Sequence, residues 1–131
     1  HQIVILDTIG ELGRLYSLAD VVFVGGSFVR VGGHNILEPA AHGKPVLVGP
    51  FMFNFKEIFK LLSERGVCIM CNTPEDFEEE LLALLADRQK MQKMGQVALE
   101  VVRENQGATG RNIAAFEKLL AEYHVQLKGH K

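Results

Sequence analysis

Four short apolar runs punctuate the first half of the chain: IVIL (Ile3 to Leu6), VVFVG (Val21 to Gly25), PVLVG (Pro45 to Gly49) and VCIMC (Val67 to Cys71). Their apolar positions are continuous rather than alternating, the pattern of strands covered on both faces. Between them ELGRLYSLAD, NILEPAAHG and FKEIFKLLSERG space their apolar residues at three and four, as amphipathic helices do. Three further helical patterns follow, over Pro74 to Ala86, Asp87 to about Glu104 and Thr109 to about Tyr123. A βαβαβα order predicts an α/β fold, a Rossmann-like parallel sheet with right-handed crossovers and helices on both faces. Ligands of such sheets gather outside the carboxyl ends of the strands.

Punctuation residues agree with these boundaries. Thr8 and Glu11 fit a capping box before Leu12, Gly43 and Gly66 close the second and third helices, and Pro74, Glu75 and Asp76 suit a first turn. His42 reads as helix termination and Lys44 as a solvated side chain. Met91, Met94, Val97, Ala98 and Val101 fall on one helix face at core spacing, and Glu75 to Glu80 reads as a wet face.

Composition narrows the class. With 131 residues, 47% of them hydrophobic, the chain can bury one core, so residues 1–131 read as a single domain. Fourteen basic against 16 acidic residues give a net charge of -2 with no block of like charge, which argues against a nucleic-acid footprint. No apolar run approaches the length of a membrane span, and the first ten residues lack the layout of a signal peptide, so a soluble domain is expected. Four parallel strands are fewer than a complete doubly wound domain usually carries, and the chain starts in a strand. A piece of a longer protein is the expectation. Cys68 and Cys71 make a C-x-x-C, but inside an apolar run rather than at a helix start, and no second pair completes a zinc site. Buried structural thiols in a reducing compartment follow.

The chemistry concentrates after the second run, in GGSFVRVGGHN. Paired glycines allow positive φ and let a ligand touch the backbone, and free amides at the start of the helix opened by His34 and Asn35 would seat an anion. The motif is neither G-x-G-x-x-G nor a Walker loop. Glu38 admits two readings. Asn35 to Glu38 is an N-x-x-E capping arrangement, and a carboxylate one turn into the helix is also placed to accept hydrogen bonds from ribose hydroxyls. Phosphate on the amides and ribose on the acid would together describe a nucleotide.

DTIGELGRLYSLADVVFVGGS, GGHNILEPAAHGKPVLVGP and NFKEIF, and more weakly NQGATGRN, resemble the carboxyl-terminal domain of the bacterial 3-deoxy-D-manno-octulosonic acid (Kdo) transferases. That resemblance implies the carboxyl-terminal half of a GT-B glycosyltransferase, binding CMP-Kdo for transfer to the lipid A precursor at the cytoplasmic face of the bacterial inner membrane, with no cofactor and no metal. It places Gly26 and Ser27 beside the nucleotide phosphate, with Gly32, Gly33, His34 and Asn35 completing the lip, Glu38 on the ribose and Asn54 facing the donor from the next loop. The family's general base is a glutamate of an amino-terminal domain that this chain does not contain, as are the acceptor site and the membrane contact. His34 then reads as a phosphate donor, or as a side chain that supports one, rather than as a base, and no catalytic residue is expected in residues 1–131. The lack of a D-x-D pair accords with metal independence.

Three points stay open on sequence alone. Arg30, in a segment that departs from many relatives, is a phosphate contact or a solvated side chain. The Phe51, Met52, Phe53, Phe55 cluster is core or an apolar wall for the donor. A stand-alone nucleotide-binding module acting with a partner subunit, or a GT-B domain using a UDP-sugar, would carry the same glycine turns.

Overall fold

A computed structural model of the protein describes residues 2–106. Its elements are α1 (Leu12–Tyr16), β1 (Val22–Phe23), α2 (Leu37–Ala41), β2 (Val46–Val48), a 3-10 turn (Phe53–Phe55), α3 (Lys56–Glu64), β3 (Cys68–Met70) and α4 (Pro74–Ala86). A further helix, α5, runs over 88–106. The helix read over Thr109 to Tyr123 lies outside the described residues.

The three strands are parallel in the order β1-β2-β3, with Val22 against Val46 and Val46 against Cys68. Such a sheet must be covered on both faces, and it is. Val46 and Val48 of β2 pack with Val24, Ile36, Ala40, Leu62, Ala98 and Val101 on the face that carries α2, α3 and the second half of α5. Leu47 points the other way, to Leu84 and Met94 of α4 and α5. All three residues of β2 are fully buried, so the continuous apolar run has its physical cause. The Met91-to-Val101 stripe of α5 serves both clusters, as its spacing predicts.

One predicted strand does not form. Residues 3–6 belong to no strand, and Ile3, Val4 and Ile5 are 91%, 85% and 84% exposed. A continuous apolar strand needs a ladder and two covering layers. Here β1 is two residues long and its Phe23 is already half bare, so it offers a neighbour too short to register a four-residue run.

Helix ends follow mostly the expected chemistry. Gly43 and Gly66 adopt φ of 68° and 75° after α2 and α3. At α4, Thr73 and Asp76 form a reciprocal capping box that holds Pro74 in the first turn. At α1 the box does not form. Thr8 donates its hydroxyl hydrogen to the Glu11 carboxylate at 2.6 Å, and Glu11 itself occupies the cap position. Lys44 is not merely solvated either, since its Nζ donates to the Ser17 carbonyl at 3.2 Å and ties the end of α1 to the entry of β2. On the surface Arg65 donates to Glu104 at 2.8 Å, which holds that carboxyl below its usual range.

Cys68 and Cys71 are free, buried, and packed in different apolar clusters. Burial, with Cys71 adding to it, pushes the Cys68 thiol up to about 12, and burial first and then Glu80 and Asp76 push Cys71 up too. That is the opposite of an activated redox thiolate. Because the folded state holds Cys68 neutral above the ordinary value of 9.0, its contribution is complete below pH 9 and is lost as pH rises through that window toward 12. Urea midpoints should therefore fall between pH 8 and 10.5, and fall less steeply in Cys68→Ala. A second expectation concerns Gly95 in α5, where an added Cβ would collide with the Gly43 carbonyl oxygen. Gly95→Ala, normally a gain in a helix, should here lower unfolding free energy by about 1–3 kcal/mol in urea denaturation.

Candidate functional site

The loops leaving β1 and β2 meet at the carboxyl end of the sheet, joined through Ser27. Its hydroxyl donates to the Val24 carbonyl at 2.6 Å and accepts the Gly49 N–H at 2.8 Å, while its carbonyl accepts the Phe51 N–H at 2.9 Å. Gly49 is glycine because a Cβ there would collide with the Ser27 carbonyl. Ser27 is fully buried. The resemblance places it beside a phosphate; the structure turns its hydroxyl inward, where both its donor and acceptor capacity are used in joining the two loops.

The second half of the glycine loop folds back on the first. Gly26, Gly32 and Gly33 take φ of 69°, 97° and 78°, a region that other L-residues rarely enter. Gly33 donates its N–H to the Gly26 carbonyl at 3.0 Å, so this amide, expected to face an anion, instead closes the loop. Asn54 holds the loop from the far side: its N–H donates to the Gly32 carbonyl at 3.2 Å and its side-chain amide to the Val31 carbonyl at 3.0 Å. A Cβ at Gly32 would run into the Asn54 side chain and the Phe53 ring, and one at Gly33 into the Met52 sulfur. The His34 imidazole lies over Gly26, with Nε2 at 2.9 Å from where a Cβ would stand. Among the described residues, no backbone carbonyl takes the N–H of His34 or Asn35.

The helix start differs from the sequence expectation as well. α2 begins at Leu37 rather than at His34, and the Asn35 carboxamide oxygen accepts the Leu37 N–H at 2.9 Å. The N-x-x-E box is half made, since Glu38 does not reach back to the backbone and the cap position, Ile36, has no side-chain bond. Glu38 is exposed and lies toward α1, where its Oε1 is the nearest outside atom to Gly13 and its charge helps burial push the Tyr16 phenol above its ordinary value. The capping alternative for Glu38 is thereby removed. Tyr16 packs on His42 with ring centroids 5.4 Å apart, and His42 Nδ1 donates to the Glu38 carbonyl at 2.9 Å. The part played by α1 was missed in the sequence, though a glycine inside the helical pattern at Gly13 was its signal.

Beside the glycine loop opens a cavity of about 590 Å³, with Asn35, Phe53, Asn54, Lys56, Ile58 and Asn105 among its walls. It brings together Asn35 and Asn54, whereas Glu38 and His34 are not part of its lining. The aromatic cluster divides: Met52 is buried, Phe55 packs on the core, and Phe53 is 48% exposed. Arg30 sits with its guanidinium 5.7 Å from the Phe51 ring centroid, a cation–π contact that accounts for its position.

A parallel sheet sandwiched by helices, with glycine turns at its carboxyl end and a carboxylate on the following helix, defines an α/β domain of the class whose ligands gather outside that end. The chain belongs to the glycosyl transferases group 1 family, whose model matches residues 1–101. Among curated proteins it is 42% identical over 111 residues to the 3-deoxy-D-manno-octulosonic acid transferase of Haemophilus influenzae, covering 84% of this chain and 26% of that one. The corresponding enzyme of Bordetella pertussis is 39% identical over 114 residues, covering 87% of this chain and 27% of the other. The chain thus spans about a quarter of these transferases. Among solved structures, the C-terminal CMP-Kdo binding domain of WaaA from Acinetobacter baumannii superposes with a TM-score of 0.69 at 35% identity, covering 74% of this chain and 51% of that one. The resemblance read from GGHNILEP and its flanking motifs therefore extends over most of the sequence, and the fold is that of this domain.

Because Ser27 links both loops, Ser27→Ala should leave the Gly49 N–H unpaired in the core and lower unfolding free energy by about 1–3 kcal/mol, read by urea denaturation.

Proposed function

We propose that this chain is the donor-binding part of a Kdo transferase, holding CMP-Kdo by its CMP group while the rest of a longer protein supplies the acceptor site. The observation that carries this reading is the 35% identity, at a TM-score of 0.69, to the CMP-Kdo binding domain of WaaA. The geometry supports a division of labour. The N–H groups of His34 and Asn35, with the His34 imidazole over Gly26, would meet the phosphate. Glu38 would accept from the ribose hydroxyls, and the exposed ring of Phe53 with Asn54 would border the donor. Gly26, Gly32 and Gly33 shape this lip, and Ser27 fixes it from beneath.

The reaction would then run as an inverting transfer to the lipid A precursor, at the cytoplasmic face of the bacterial inner membrane in the whole protein. A base outside this chain takes the proton of an acceptor hydroxyl as its oxygen bonds to the anomeric carbon of Kdo. The bond from that carbon to the phosphate oxygen breaks, and CMP leaves with the electron pair. Preorganised N–H donors stabilise the charge developing on that phosphate, a contribution of several kcal/mol. No cofactor or metal takes part in this scheme.

Titration of the chain with CMP, UMP and UDP by NMR or calorimetry tests it. CMP should bind in preference, and Glu38→Ala should weaken it about tenfold, the loss expected for hydrogen bonds to a charged group. Tighter binding of UDP than of CMP would transfer the reading to a UDP-sugar enzyme, and binding of none would remove the nucleotide site.

A further inference from the structure

We propose that Gly13 is a specificity-determining residue: its missing side chain keeps one oxygen of Glu38 open to ribose hydroxyls, so that the site prefers ribonucleotides to deoxyribonucleotides. The inference rests on the ribose reading of Glu38 given above and extends it to a second element, α1.

Gly13 is not explained by its backbone. It lies inside α1, where glycine is a poor helix former, and it is absent from the six glycines with positive φ. Nor does a neighbouring backbone press on it, as happens at Gly49 and Gly95. A Cβ built at Gly13 meets one atom from elsewhere within 4 Å, and that atom is Glu38 Oε1 at 3.6 Å. The space is therefore sufficient for a methyl group as far as packing goes. What the methyl group would do is lie in van der Waals contact with one carboxylate oxygen of an exposed acid.

A hydroxyl must come within about 2.7 Å of that oxygen to donate to it, and a methyl in contact on one side removes that side from its approach. It also strips water from the oxygen. The two helices are held together on this face: Tyr16 stacks on His42, His42 donates to the Glu38 carbonyl, and Lys44 ties the Ser17 carbonyl at the end of α1 to the entry of β2. With these ties α1 does not simply swing away to restore the opening. Among the described residues, no side chain or backbone N–H donates to the Glu38 carboxylate, which leaves it to an external donor.

The test compares the chain with Gly13→Ala and Glu38→Gln, each titrated with CMP and with 2′-deoxy-CMP and each melted by circular dichroism. The parent should prefer CMP about tenfold, the scale of hydrogen bonds to a charged group. Gly13→Ala should melt at or above the parent, since alanine is the better helix former, yet weaken CMP about tenfold and leave 2′-deoxy-CMP within about twofold. Glu38→Gln should erase the same preference. If Gly13→Ala keeps the parent's preference while Glu38→Gln loses it, the role of Gly13 is overturned and the Glu38 reading survives. Equal weakening of both nucleotides by Gly13→Ala also overturns it, as general damage to α1. A parent that binds both nucleotides equally, or neither, overturns both readings together.

Discussion

Burial of β2 on both edges and both faces is the constraint from which the rest of the structure is organised. Val46, Leu47 and Val48 are at zero exposure and all pair with β3, Val46 and Leu47 pair with β1 as well, and the strand separates two apolar clusters. A strand so enclosed cannot slip by one residue without exchanging its faces. Its continuation, Gly49, is consequently a fixed point, and the Ser27 hydroxyl bound to the Gly49 N–H carries that fixity into the glycine loop after β1. The candidate site is thus tied to the fully buried strand through a buried hydroxyl.

From that anchor the loop is shaped by subtraction. At Gly32, Gly33 and Gly49 a side chain would collide with Asn54, Met52 or the Ser27 carbonyl, so these glycines mark close approach as well as turn geometry. The same absence at Gly13 has a different meaning, because nothing but a carboxylate oxygen stands opposite it. Two layers of support follow. Ser27 and Asn54 use their polar groups on each other's loops, Gly33 closes its own, and His34, Asn35 and Glu38 are left exposed.

Much of this was legible in the residues. The runs over Val21 to Gly25, Pro45 to Gly49 and Val67 to Cys71 are strands at their centres, α4 spans Pro74–Ala86 as read, and the α5 stripe is core. The run IVIL carries the same local signal and is no strand, because apolar continuity records a preference for burial and cannot supply the neighbour that burial requires. Likewise S/T-x-x-E and N-x-x-E were equally plausible boxes at Thr8 and Asn35. Each diverted its acid elsewhere, Glu11 to a hydroxyl and Glu38 toward α1, since side-chain direction depends on which element lies opposite.

Residue order alone determined the α/β class, the parallel sheet and the family, and pointed to the loop after the second apolar run as the candidate site, since periodicity and motif spacing are properties of the chain. Which polar groups stay free at the candidate site was decided by tertiary structure. Ser27 turned inward because loops from two strands had to satisfy each other's buried hydrogen-bonding groups where they cross. Glu38 turned toward Gly13 because α1 packs on α2. Both outcomes depend on segments about 20 residues apart or more meeting in space, and no local pattern encodes that meeting.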